Sequence, residues 1–169
     1  IFFYLALVHY WKSWSNEYRG ANWASSVTED MWQCAREAQN QLFANALQAL
    51  SRSEDAWIVA LHLMVSNARL AEPKWFDRWF IKEHFISDLK YHISPEAQKL
   101  ADRSGLHEQL SLDIPAYIPE CLKPYRQFKK NLADPQTEAA FWLKFYLDQS
   151  GYGLIPAIDY CYYLLPRWG

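Results

Sequence analysis

Residues 25–50, SSVTEDMWQCAREAQNQLFANALQAL, decide the fold, because they have the pattern of one long capped helix. Ser26 and Glu29 have the spacing of a capping box, and Thr28 is an alternative N-cap. The apolar stripe that follows has helical spacing and mostly small side chains: Met31, Ala35, Ala38, Leu42, Ala46 and Ala49. Because small side chains let another helix approach closely, this stretch predicts a helix packed against other helices.

The next segment, residues 54–70, is EDAWIVALHLMVSNARL, and Ser53 is its predicted cap. Its apolar side chains surround the helix axis almost completely, which is typical of a central helix. We therefore predict that residues 54–70 form the most buried helix. His62, within it, is interpreted as a core histidine bonded to a backbone carbonyl.

The rest of the chain also has helical periodicity, and no segment has the alternation typical of strands. Further helices are predicted over residues 2–18, 73–94, 95–103, 120–132, 135–150 and 154–165. Three prolines predict a broken or kinked start to the 120–132 helix: Pro115, Pro119 and Pro124. The overall prediction is an all-α, single-domain bundle over residues 1–169, with about seven or eight helices and an aromatic-rich core. We interpret the chain as a fragment of a longer protein.

Charge and cysteine content narrow the functional classes. The chain has 17 Lys and Arg against 19 Asp and Glu, so it lacks the basic excess that a nucleic-acid groove needs. The densest basic cluster has the spacing of one helix face, and we interpret it as solvated: Lys123, Arg126, Lys129 and Lys130. The cysteines form no CxxC pair and are interpreted as reduced thiols of a cytoplasmic protein: Cys34, Cys121 and Cys161. We expect no cofactor.

Residues 82–92, KEHFISDLKYH, contain the strongest candidate metal ligands: His84, Asp88 and His92. On a continuous helix from Pro73 they form a slanting row on the side away from Trp75 and Trp79. The outer two would be separated by about 12 Å of helix rise, too far to share one ion. We therefore interpret the row as a solvated face. A metal-dependent helical-bundle enzyme, with further ligands from other helices, is the alternative.

A second enzymatic interpretation starts from RWFIKEH at residues 78–84. Arg78 and His84 lie a few residues apart on one predicted helix, which resembles the motif of helical-bundle endoribonucleases of the HEPN class. The resemblance implies that His84 helps to transfer a proton and that Arg78 stabilises phosphate charge. It covers these two residues, and the position after Arg78, where the family prefers a polar residue, is Trp79.

The aromatic content favours an interaction domain. Nine Trp, eleven Tyr and nine Phe make up 17% of the chain, more than a core alone explains. Trp11, Trp14 and Tyr18 share one helical stripe of the first predicted helix and are the predicted anchors for a protein partner or an adjacent domain of the same chain. We thus expect a non-catalytic, cytoplasmic interaction or scaffolding domain. The apolar run from Ile1 to Trp11 supports an alternative, a domain at the cytoplasmic face of a membrane.

Overall fold

The computed structural model describes residues 1–19, 26–53, 59–60, 72–82, 95, 112–132 and 138–150. These residues contain no strand, so the all-α prediction is confirmed for them. Their helices are α1 (Phe2–Arg19), α2 (Glu29–Arg52), α3 (Lys74–Phe80), a 3₁₀ helix (Glu120–Tyr125), α4 (Arg126–Asn131) and α5 (Glu138–Ser150).

Five α-helices are found in this part of the chain, not the seven or eight expected. Three of the predicted helices, at 54–70, 95–103 and 154–165, lie almost wholly outside the described residues. Those segments contribute only Val59, Ala60 and Pro95 to the description, and Val59 and Ala60 are buried in the core. The prediction that 54–70 is the most buried helix is untested beyond these two residues.

Helix α2 begins after Thr28, the alternative cap of its sequence, rather than after Ser26, and it is buried more fully than predicted. Thr28 is the N-cap, and its hydroxyl accepts a hydrogen bond from the Met31 N–H at 3.3 Å. Every residue from 41 to 50 is buried, rather than only the small apolar stripe. Two of the buried polar side chains are hydrogen-bonded: the Asn45 amide donates to the Gln41 backbone carbonyl, and the Gln48 amide donates to Asp113. The Gln41 side-chain nitrogen is buried without a hydrogen-bond partner among the described residues.

Helix α1 packs antiparallel to α2. Near the start of α1, Tyr4 contacts Arg52 at the end of α2. Near the end of α1, the Arg19 guanidinium lies over the Trp32 ring, 5.6 Å from its centroid, near the start of α2. The predicted boundaries of this helix, residues 2–18, agree with the structure to within one residue.

Aromatic rings from α2, α3 and α5 form the centre of the core, so the predicted aromatic-rich core is confirmed. Phe43 of α2 lies within ring-contact distance of three rings on the other two helices: Trp75, Phe76 and Trp142. Phe76 also stacks on Phe80, with ring centroids 5.4 Å apart. Such pairs add about 0.5–1.5 kcal/mol each to the free energy gained by burying the rings.

Helix α3 is shorter than predicted. It ends at Phe80, and Ile81 and Lys82 form a turn, so one unbroken helix from residue 73 to 94 is wrong at this point. Neither proline nor glycine marks this end, which is why the sequence pattern did not predict it. The predicted row of His84, Asp88 and His92 on the side away from Trp75 rests on an unbroken helix, and these three residues lie outside the described residues.

The prolines of the 112–125 segment have the predicted effect. Residues 120–125 form a 3₁₀ helix that contains Pro124, and regular α-helix begins only at Arg126. The preceding loop is held against α3 because the Trp79 indole N–H donates to the Pro115 carbonyl at 3.1 Å. None of the helices in the described ranges has the length and hydropathy needed to cross a membrane.

Candidate functional site

The outer face of α1 carries an unusual concentration of exposed apolar side chains. Six large hydrophobic residues are exposed among the described residues, and four of them lie in the first ten: Ile1, Phe2, Phe3 and Tyr10. Phe2 is 84% exposed and Phe3 67% exposed. We use the name outer face for the exposed residues Phe2, Phe3, Ala6 and Tyr10, which lie on one side of this helix.

The outer face is uncharged over three turns. Ile1, just before α1, is also exposed, and the other exposed positions of α1 are His9, Ser13 and Glu17, so the first exposed Asp, Glu, Lys or Arg side chain is that of Glu17. Monomeric proteins rarely leave several large apolar side chains adjacent in water, because each retains unfavourable hydration. This face therefore has the chemistry of a contact surface.

The start of α1 is fixed to the rest of the molecule through Tyr4. The Tyr4 hydroxyl donates to Asp113 Oδ2 at 3.2 Å and accepts from the Arg52 guanidinium at 3.2 Å. The same guanidinium lies over the Tyr4 ring, 4.8 Å from its centroid, and it also donates to the Gln48 side chain. This network joins α1, α2 and the 112–119 loop, so the outer face is presented on a positioned helix.

The predicted anchors lie mainly on the inner side of α1. Trp11 is only 3% exposed and belongs to the core against α2, so it is not an exposed anchor. Trp14 and Tyr18 are half-buried and stack on each other with centroids 5.2 Å apart. The spacing that grouped these rings was that of the packed stripe, which is why it identified buried residues. A partner contact by Trp11, Trp14 or Tyr18 stays a prediction.

The enzymatic candidates are only partly placed. Arg78 is an exposed residue of α3, whereas His84, Asp88 and His92 lie outside the described residues. The structure therefore does not test the HEPN-like pair or the predicted metal row. Within the ranges that the structure describes, no three His, Cys, Asp or Glu side chains are arranged to bind a metal ion.

A buried group of charges joins the start of α3 to α4 and α5. The Lys129 ammonium of α4 donates to Glu72 Oε2, and these side chains are only 4% and 3% exposed. Glu72 Oε1 accepts from the Trp142 indole N–H at 3.1 Å, and the Glu72 backbone N–H donates to Glu138 Oε2 at 2.8 Å. Asp77 Oδ1 lies 3.6 Å from the same ammonium. We call these five residues the Lys129 cluster.

The burial of Lys129 corrects one interpretation from the sequence. The sequence predicts that Lys129 lies on a solvated basic face with Lys123, Arg126 and Lys130, but its side chain is buried. Its ammonium lies 5.7 Å from the Phe76 ring centroid and 5.6 Å from that of Phe141. Carboxylates and aromatic faces thus replace the water that an exposed lysine would retain.

The electrostatics of the cluster are dominated by burial. Burial raises the pKa of Glu72 from 4.5 to about 7, against the opposing effect of the Lys129 ammonium. The nearby carboxylates of Glu138 and Asp77 also raise this pKa, so burial and these two carboxylates together raise the pKa of Glu72 more than the Lys129 ammonium lowers it. The pKa of Glu138 is raised as well, mainly by burial.

A second perturbed carboxyl lies on α2. Burial raises the pKa of Glu37 from 4.5 to about 7, although interactions with the Asn40 and Gln41 side chains lower it. Asn40 in turn accepts a hydrogen bond from the Trp75 indole at 3.2 Å. No charged group is among the causes of this shift, so burial is the only effect that raises the pKa of Glu37, whereas nearby carboxylates also raise the pKa of Glu72.

The sequence-based predictions include neither the outer face nor the Lys129 cluster, although the sequence contains part of the signal for each. Lys129 falls on the apolar stripe of Leu122, Tyr125 and Leu132, at helical spacing. Phe2, Phe3 and Tyr10 fall outside the inner stripe of α1. Glu72 carries no comparable signal, because it precedes α3 and its partners are 57 to 70 residues away in the chain.

Comparison with known families gives one match. The chain matches the model of a domain of unknown function, DUF4034, over residues 3–169. It therefore belongs to that family. No curated protein and no solved structure matches it.

Proposed function

We propose that this DUF4034 domain is a non-catalytic interaction or scaffolding domain of a larger chain or assembly. In this proposal the outer face of α1 binds a protein partner or an adjacent domain of the same chain. The observation that carries the proposal is the exposure of Phe2 and Phe3 beside Ala6 and Tyr10 on an uncharged helix face.

The energetic argument rests on the size of these side chains. Transfer of a fully exposed phenylalanine side chain out of water contributes roughly 1.5–3 kcal/mol. Two such rings on a fixed helix offer a partner this free energy with little loss of side-chain entropy, because a phenylalanine ring has few rotamers. Aromatic residues, phenylalanine among them, are enriched at protein interfaces relative to the rest of the surface.

The test is the Phe2→Ser, Phe3→Ser double variant, compared with the parent and with Tyr117→Ser. Tyr117 is 78% exposed but lies in the 112–119 loop, so its variant controls for the loss of an exposed aromatic ring elsewhere. Each protein is expressed in its native cells, and the proteins crosslinked to it are quantified by mass spectrometry. We expect the crosslinked yield of specific partners to fall at least tenfold for the double variant only. An unchanged yield would overturn the proposal.

The first alternative proposal is that the domain is an enzyme. An enzyme using the 78–92 face, either HEPN-like or metal-dependent, requires Arg78 to be accessible, and it is exposed. Ribonuclease activity lost in Arg78→Ala or His84→Ala would support the first form, and activity that depends on added metal would support the second.

The membrane alternative uses the same exposed apolar residues. A domain that adjoins the cytoplasmic face of a membrane would bind lipid vesicles through Ile1, Phe2 and Phe3. Binding to neutral phosphatidylcholine vesicles that the Phe2→Ser, Phe3→Ser variant loses would favour it over a protein partner.

We further propose a cytoplasmic location and a complete bundle of seven or eight helices, the additional ones lying at 54–70, 95–103 and 154–165.

A further inference from the structure

The sequence of α3 repeats itself after four residues. KWF at residues 74–76 is followed by RWF at residues 78–80, so a basic residue precedes a Trp-Phe pair twice. The structure places the matched residues alike: Lys74 and Arg78 are exposed, and both aromatic pairs are buried. Because four residues are close to one helical turn, the two pairs lie on the same side of α3, about 6 Å apart along its axis.

This repeat gives α3 a second way to dock. After a displacement by four residues, Trp79 and Phe80 would take the places of Trp75 and Phe76, and the same types of ring would contact Phe43. Ring pairs are favourable in several orientations, so this packing tolerates the exchange. The displacement removes a Trp-Phe pair from the place of residues 79 and 80, so the aromatic contacts favour the observed position by one pair.

The polar contacts of the Lys129 cluster do not repeat in this way. In the observed position the Lys129 ammonium donates to Glu72 Oε2 and lies 3.6 Å from Asp77 Oδ1. A displacement by four residues would bring Phe76 to the place of Glu72 and Ile81 to that of Asp77. The buried ammonium would then face two apolar side chains, and leaving a buried charge without its partner is strongly unfavourable.

Glu72 is also held by α5. Its Oε1 accepts from the Trp142 indole N–H at 3.1 Å, and its backbone N–H donates to Glu138 Oε2 at 2.8 Å. Because Lys129 belongs to α4, these contacts fix residue 72 relative to two helices, immediately before α3 begins. A slide of α3 along its axis would break all of them together.

We propose that the Lys129 cluster is a register pin: of two docking positions of α3 one turn apart, it selects the one in which Trp75 and Phe76 contact Phe43. Buried polar groups fix the register of packed helices in coiled coils, even at a cost in stability. One-turn displacements of one packed element past another also occur in conformational transitions. This inference is independent of the proposed binding by the outer face.

The experiment replaces the buried ion pair by apolar side chains in the full chain, as Glu72→Leu, Lys129→Met, which we call the apolar variant. Both charges are removed together, so neither is left buried without its partner. The matched control is Lys144→Met, Asp148→Leu, because it removes a lysine–carboxylate pair that is exposed and lies within α5.

The readout is the ¹H–¹⁵N spectrum of the tryptophan indole groups. In the observed position the Trp75 indole donates to Asn40 and the Trp79 indole donates to the Pro115 carbonyl, so the two have different environments. We expect one peak for each in the parent and in the control. In the apolar variant each should give two peaks, the second with about 10% of the intensity or more, whereas Trp11 of α1 should keep one.

Nuclear Overhauser contacts identify the second position. In the parent, the contacts of the Phe43 ring with α3 come from Trp75 and Phe76. In the second set of peaks they should come from Trp79 and Phe80. A single set of peaks in the folded apolar variant, or a second set without these contacts to Phe43, would overturn the proposal.

A milder variant decides the question if the apolar variant does not fold. Glu72→Gln keeps the shape of the side chain and removes its charge, so it weakens the contact with Lys129 while leaving an oxygen for the Trp142 N–H. The displaced position should then appear as a minor state in ¹⁵N saturation-transfer measurements on the α3 indole groups. No minor state in this variant would equally overturn the proposal.

Discussion

The outer face of α1 and the Lys129 cluster reverse the usual distribution of side chains. On α1, Phe2 and Phe3 are exposed to water, whereas in the cluster Lys129 and Glu72 are almost completely buried. The buried charges have partners on three helical elements, while Phe3 makes an edge-on ring contact with Tyr4 of its own helix. The buried charges of the Lys129 cluster hold helices of this chain together, whereas we propose that the outer face contacts another molecule.

The largest effect should come from removing the shared cation. Lys129→Ala leaves the buried Glu72 carboxyl without its ion-pair partner and should lower the free energy of unfolding by about 3–5 kcal/mol. Denaturant unfolding followed by circular dichroism measures it. Lys130→Ala is the matched control, because Lys130 is the exposed neighbour on the same helix, and its effect should stay within about 0.5 kcal/mol. Equal effects of the two substitutions would show that the Lys129 cluster does not stabilise the fold.

The next effect contrasts the two sides of α1. Trp11→Ala removes a ring that is 3% exposed and should destabilise the domain by about 3 kcal/mol, since it leaves a cavity between α1 and α2. The thermal midpoint and the denaturant midpoint should both fall. A variant with the parent's stability would mean that α1 is not part of the cooperative core, and the inner face would then be available to a partner as first predicted.

The third effect is a dependence of global stability on pH. Because burial raises the pKa of Glu37 to about 7, the folded state holds a proton that the unfolded state loses above pH 4.5. Stability from this group is fully present below pH 4.5 and falls by up to about 1.4 kcal/mol per pH unit as the pH rises towards 7. Glu37→Gln should reduce that slope by up to about 1.4 kcal/mol per pH unit, the effect of one proton, as measured from unfolding curves between pH 4.5 and 7. An unchanged slope would show that Glu37 titrates normally in the folded protein.

The predictability of these regions from sequence follows from the range of the interactions involved. Helices α1 and α2 were predicted closely because caps such as Thr28 and periodic stripes act within a few residues. The short α3 was not, since its end at Phe80 carries no local signal. The burial of Lys129 was not predicted, because it depends on an ion pair with Glu72, which lies 57 residues away in the chain. Helical periodicity contains no information about such a distant partner.

Helical periodicity also did not identify the candidate contact surface, the outer face of α1. Periodicity identified Trp11, Trp14 and Tyr18 as one stripe correctly, but a stripe of large side chains marks the packed side of a helix more often than its exposed side. The residues that remain exposed are those left out of the stripe, Phe2 and Phe3 above all. In an aromatic-rich helix, an aromatic residue off the stripe is therefore the better candidate for a partner contact.

The smallest effect tests whether that candidate surface is open. Phe2→Ala truncates a ring that is 84% exposed, so it should change the free energy of unfolding by less than about 0.5 kcal/mol, in contrast to Trp11→Ala on the same helix. Both variants are measured by denaturant unfolding in the same buffer. Because each loses an aromatic ring, the effect of that loss on the unfolded state is common to both. A loss of more than about 1 kcal/mol for Phe2→Ala would show that the ring packs against the domain in solution. The outer face would then be part of the core, and a binding role for it would have to be abandoned.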